Sequence, residues 1–207
     1  MNENGRHGSV EWAATACPLP GQSVCGDSFI AVGVDDHTVL LGVVDGLGHG
    51  QAAAAAANCA VQVLTRSAGR PLEMMMRLCH REMATTRGAA ITLVSIDFRT
   101  DMLQWVGVGN VAAVLMGRST SGVASRSAVR LSGGIVGYRM PELPQTEPVA
   151  MRPGSLLIMT TDGIANPYVD GVDFAASADA LAQQIMGEHN KQTDDALVLV
   201  ARHRGTS

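Results

Sequence analysis

A chain of 207 residues fits one domain of the usual ~100–200 residues and is long enough to bury a core without disulfide or metal staples. The net charge of −4 argues against the basic face that nucleic-acid binding demands, and no run reaches the ~18 apolar residues of a membrane span. Hydrophobic residues make up 46% but aromatics only 3%, so the core must be built from Ala, Val, Leu, Ile and eleven methionines.

The first eight residues are polar and hold no apolar stretch of signal-peptide type. The expectation is a soluble, cytoplasmic protein. Cys17, Cys25, Cys59 and Cys79 are widely spread, with no CxxC pair, and are expected to be buried reduced thiols.

Residues 29–34 and 38–44 are β-branched and apolar, with the turn-like Asp35-Asp36-His37 between them, and read as a hairpin. The second strand runs into Asp45-Gly46-Leu47-Gly48-His49-Gly50. A helix is expected over 51–67, opening on six alanines, which favour helix and allow close approach of neighbours. Gly69-Arg70-Pro71 ends it.

Leu72, Met75, Met76, Cys79 and Met83 lie on one face of a second helix. This methionine stripe reads as core, because Met fills irregular gaps. Strands are expected over 90–97, 102–108 and 111–116, joined by short connections into an antiparallel meander. Residues 117–128, rich in Ser and Gly, read as a mobile loop, followed by a weak strand near 129–131 and a turn-rich 133–137. A buried strand over 155–160 ends at Asp162-Gly163, a third helix spans about 176–188 with Leu181 and Ile185 inward, and 196–202 is the last strand. Strands grouped with helices, with no linker or repeat, give a single α+β domain over 1–207.

The informative pattern is where the aspartates fall. Asp27, Asp45, Asp162 and the Asp194-Asp195 pair each stand where an apolar strand meets a turn. Strand ends of one sheet can converge in space. Converging carboxylates repel and raise one another's pKa, a cost that divalent cations relieve. An all-oxygen donor set favours Mg²⁺ or Mn²⁺ over zinc. Two such ions ~3.5–4 Å apart can bind a phosphoryl group and acidify a shared water. Taken singly, each Asp-Gly pair is equally a good turn.

Read in order, Gly26-Asp27-Ser28-Phe29, Val44-Asp45-Gly46-Leu47-Gly48-His49-Gly50, Gly107-Val108-Gly109-Asn110, Thr160-Thr161-Asp162-Gly163-Ile164 and Thr193-Asp194-Asp195-Ala196 resemble the metal-dependent protein phosphatases of type 2C, the PPM superfamily. The Asp-Gly-x-Gly-His-Gly form is similar to the bacterial SpoIIE-like branch, and the bare catalytic domain to its RsbX type. The resemblance implies a β-sandwich of two mainly antiparallel sheets flanked by α-helices. It implies that Asp45 bridges two Mn²⁺ or Mg²⁺ ions, that the Gly46 carbonyl binds the first, that Asp162 and Asp194 are further ligands, and that Asp27 holds metal-bound water. Asp195 falls where many relatives carry Asn. The implied activity is hydrolysis of phosphoserine or phosphothreonine on proteins. Implied partners are phosphorylated STAS-domain proteins of the stressosome, of the RsbS and RsbR type, or, for an RsbU- or SpoIIE-like role, a phosphorylated anti-anti-sigma factor.

Two departures stand out. Residues 20–25 hold no Arg, where many eukaryotic relatives place one to hold phosphate. His49 lies three residues beyond Gly46, so a structural hydrogen bond at the helix start is expected of it rather than general-acid catalysis. His7, His37, His80, His189 and His203 have no ligand spacing and read as surface or ordinary core residues. A dinucleotide-binding reading of residues 46–50 fails on the acid at Asp45 and on the lack of an acidic residue about twenty positions on. A catalytically weak, partner-binding pseudophosphatase is the non-enzymatic alternative.

Overall fold

The computed structural model describes residues 1–118, 124–144, 147–166, 168–169 and 171–205. Two sheets pack face to face. The first runs β1 (Asn2–His7), β2 (Val10–Cys17), β12 (Ala196–His203), β11 (Leu156–Thr160), β7 (Ala112–Arg118) and β8 (Ala124–Ala128). The second runs β10 (Val149–Ala150), β6 (Met102–Val108), β5 (Ala89–Asp97), β4 (Thr38–Gly46) and β3 (Asp27–Asp35), with the short β9 (Leu131–Ser132) also on β6. Among the described residues every strand pairing is antiparallel except β6 with β9. This is the expected mainly antiparallel sandwich, and it leaves no parallel βαβ unit around residues 46–50 for a dinucleotide.

Each layer has its own core. Val39, Leu41, Val43, Leu157, Met159, Leu197 and Leu199 fill the gap between the sheets. On the outer face of the second sheet, α1 (Gln51–Ser67) and α2 (Leu72–Glu82) cover Leu40, Val44, Ile91 and Leu93. The α1 alanines at 53, 56, 57 and 60 are buried, and Met75, Met76, Cys79 and Met83 are fully buried core as the stripe predicts. On the other side, α3 (Ala178–His189) places Leu181 and Ile185 against Ile158, Val198 and Val200. Its first turn is capped by Ser177, whose hydroxyl accepts from the Ala180 N–H at 3.1 Å. Burying an apolar side chain such as Leu181 or Ile185 stabilises by roughly 1.5–3 kcal/mol.

Two expectations are corrected. The meander breaks after β6: β6 and β7 belong to different sheets, and Gly109, at φ 97°, turns the chain across the sandwich. The loop expected over 117–128 is flanked by strand, because β7 pairs with β8 in the register Val114↔Ala128 to Arg118↔Ala124. Residues 119–123 of that loop lie outside the described residues. The first hairpin, β1 with β2, has no apolar alternation in β1, and β2 is alanine-rich. It is held by its ladder to β12, from Ala196↔Cys17 to His203↔Val10, and by the N-terminal ammonium on the Ala16 carbonyl at 2.7 Å. Packing overrides weak strand propensity here.

Candidate metal centre

Strand alternation decides where the acidic residues point. Val39, Leu41 and Val43 of β4 face the gap between the sheets, so Asp45 faces the same gap at the strand's end. Asp27 follows by the same parity from Phe29 and Ala31 on β3, Thr161 from Leu157 and Met159, and Asp195 from Leu197 and Leu199. Polar side chains from both sheets therefore close one mouth of an apolar gap.

Asp27 is buried, 5% exposed, and its partner in the β3–β4 register is Asp45. The Thr161 hydroxyl donates to Asp27 Oδ2 at 2.7 Å and accepts from the Leu197 N–H at 2.8 Å, tying the two sheets together at this point. Burial, then the Asp45 charge, pushes the Asp27 carboxyl up to about 8. Burial, then Asp162 and Asp194, pushes Asp45 up to about 7. Two neighbouring carboxyls thus hold protons at a pH where free ones would not.

Asp162 and Asp194 arrive on turns. Asp162 follows β11 and is exposed; Asn110 Nδ2 donates to its Oδ2 at 2.7 Å, and Lys191 Nζ donates to its backbone carbonyl at 2.6 Å. Asp194 precedes β12 and is half-buried. Asp45, Asp162 and Asp194 line one cleft of about 440 Å³, together with Asn110 and the glycines 48 and 109. Asp27 lies behind this cleft and lines an adjoining hollow with Cys25 and Ser28.

Asp195 does a different job from its neighbour. It is 2% exposed, and its two oxygens accept the Leu19 N–H at 2.8 Å and the Gly26 N–H at 2.9 Å. It fastens the segment that enters β3 and so aims Asp27. The glycines of the two Asp-Gly turns are required by close approach. A Cβ on Gly46 would stand 2.2 Å from the Ala53 carbonyl oxygen, and one on Gly163 would stand 2.1 Å from that of Asp195.

The sequence reading missed Thr161 and Lys191 and took Asn110 only as part of a turn. One signal was available: Lys191 is the chain's single lysine, three residues before the Asp194-Asp195 pair. The His49 expectation is corrected. The α1 cap at Gly50 has no side-chain hydrogen bond, and His49 is exposed. The four thiols are free, but only Cys79 is fully buried; burial pushes both Cys25 and Cys79 up to about 12.

Among the described residues no three His, Cys, Asp or Glu groups stand within ligand distance of a common point. The donor chemistry nonetheless fits hard divalent cations. The groups on the cleft are carboxylates, and the burial and mutual repulsion that raise Asp27 and Asp45 are costs that a cation would relieve.

Residues 35–204 match the family profile Stage II sporulation protein E (SpoIIE). The chain is 31% identical over 149 residues, 72% of each sequence, to phosphoserine phosphatase RsbX of Bacillus subtilis (strain 168). It superposes with TM-score 0.83 and 30% identity on a chain from a structure described as the bacterial stressosome, a modular system adapted to control secondary messenger signalling, covering 93% of this chain and 99% of that one. It superposes with TM-score 0.82 and 23% identity on the crystal structure of RsbX in complex with magnesium, covering 97% and 98%.

Proposed function

This chain belongs to the SpoIIE family of type 2C phosphatase domains, and from that premise we propose that it is an RsbX-like, metal-dependent phosphatase acting on phosphoserine and phosphothreonine of stressosome proteins. The observation that carries the reading is the cleft itself. Three carboxylates, Asp45 from the end of β4 and Asp162 and Asp194 from two turns, line it, with a fourth, Asp27, as the register partner of Asp45.

In this reading Asp45, the Gly46 carbonyl, Asp162 and Asp194 hold two Mn²⁺ or Mg²⁺ ions, with Asp27 behind them. Ions held there supply positive charge to the phosphoryl oxygens and acidify water for attack on phosphorus. The chain's own residues prepare the ground. Thr161 and Asp195 fix Asp27 and the strand entry; Asn110 and Lys191 fix Asp162 from its side chain and its carbonyl. No helix among the described residues is long and apolar enough to cross a membrane.

The likeness to RsbX and to a stressosome chain supports substrates of the RsbS and RsbR type, phosphorylated STAS-domain proteins, over an anti-anti-sigma factor. The test is phosphate release from the two kinds of phosphoprotein with Mn²⁺ or Mg²⁺. Faster release from the stressosome type is expected. The reverse ranking moves the assignment to an RsbU-like role, and no release from either removes the enzymatic reading.

A further inference from the structure

Arg87 lies in the connection from α2 to β5 and is exposed. Its backbone is fixed on both sides. The Gly88 N–H donates to the Thr86 hydroxyl at 3.0 Å, the Gly88 carbonyl accepts the Leu47 N–H at 3.0 Å, and Ala89 exchanges two 2.9 Å hydrogen bonds with Val136. These bonds lay Arg87 against the turn that follows Asp45. Its Nη1 comes within 3.0 Å of where a Cβ on Gly48 would stand, and Gly48, at φ 86°, lines the cleft beside Asp45. A side chain at position 48 would take the place of the guanidinium.

Arg81, Arg99 and Arg204 are paired with Glu82, Asp97 and Glu11, whereas Arg87 has no hydrogen-bond or ion-pair partner among the described residues. Lys191, a second cation near the cleft, already donates to the Asp162 carbonyl and acts as a strut for that turn. An unpaired guanidinium at the rim of a carboxylate cleft has the charge and the planar fork that match a phosphoryl group. Residues 20–25, just before Asp27, offer no cation for this purpose.

We propose that Arg87, across the bare backbone of Gly48, grips the phosphoryl oxygens of the substrate in the cleft, an inference that rests on the phosphatase reading above. Arg87 is then a binding residue for the phosphomonoester, and its contact survives in the product, inorganic phosphate.

The test is hydrolysis of p-nitrophenyl phosphate with Mn²⁺, together with competitive inhibition by inorganic phosphate, for the wild type, Arg87→Ala, Arg87→Lys and, as a charge control on α2, Arg77→Ala. Losing one charge-assisted bidentate contact should raise both KM and the phosphate Ki about tenfold or more in Arg87→Ala. Arg87→Lys should fall between, and Arg77→Ala should match the wild type, with thermal melting unchanged throughout. A phosphate Ki within twofold of wild type in Arg87→Ala, or an equal rise in Arg77→Ala, overturns the assignment while leaving the phosphatase reading intact. A wild type that does not hydrolyse the probe overturns the phosphatase reading itself, and this assignment with it.

Discussion

Asp27 and Asp45 are direct register partners on adjacent antiparallel strands, both turned into the gap between the sheets. Like charges placed opposite each other on a sheet destabilise it. Burial, and after it the Asp45 charge, raises Asp27 to about 8, and burial, with Asp162 and Asp194 after it, raises Asp45 to about 7.

The two raised carboxyls give the metal-free protein a definite pH dependence. The folded state holds protons on both groups that the unfolded chain, with carboxyls near 3.9, releases earlier. The stabilisation is complete below about 3.9 and is lost as pH rises through about 7 and 8. The loss between pH 6 and 8 should be of order 2 kcal/mol, roughly 4–8 °C in Tm for a chain this size. Calorimetric Tm in EDTA at the two pH values measures it. Excess Mn²⁺ should flatten the difference.

Asp45→Asn should separate stability from activity. Removing one of two opposed charges relieves Asp27, so the metal-free variant should melt higher than wild type at pH 8. Turnover should fall about a thousandfold or more, since the residue proposed to hold both ions is gone. A variant that melts lower and keeps its activity contradicts both halves.

Adjacent aspartates should behave differently. Asp194 lines the cleft, whereas Asp195 accepts two backbone N–H groups away from it. Asp194→Asn should lose most turnover with little change in stability. Asp195→Asn faces one N–H with a donor and should cost about 1–2 kcal/mol of stability with a smaller loss of rate. Denaturant titration and steady-state rates on both variants decide it; the reverse order would mean that the ligand lies one residue on.

Gly163→Ala should destabilise by about 3 kcal/mol or displace the Asp162 turn, because the added Cβ meets the Asp195 carbonyl at 2.1 Å. Gly187→Ala in α3, where a Cβ meets nothing within 4 Å, should instead stabilise by roughly 0.5–1 kcal/mol. Urea unfolding of the two variants gives the contrast.

Much of the fold could be read from local pattern. Helix α1 falls on Gln51–Ser67 and β6 on Met102–Val108, the spans that alanine content and β-branched runs mark out. The β1–β2 hairpin could not, because its strands are polar or alanine-rich and are held by β12, far away in sequence. The sheet change at Gly109 was equally hidden: a short connection reads as a hairpin unless the partner strands are known.

At the site, the Asp-Gly turns announced Asp45 and Asp162, and ordered motifs singled out Asp27 and Asp194. Thr161 gave no signal, since a threonine at a strand end is ordinary and its meaning lies in the Asp27 carboxyl that it meets across the sandwich. Arg87 was silent for the same reason: it reaches Gly48 only because α1 and α2 return the chain to the turn after Asp45.

The most direct test is the Mn²⁺ binding isotherm of the purified chain, by calorimetry, beside that of Asp45→Asn. The account predicts two ions per wild-type chain and neither at comparable affinity in the variant. A wild type that binds no Mn²⁺, or a variant whose isotherm is unchanged, contradicts a metal centre built on this cleft.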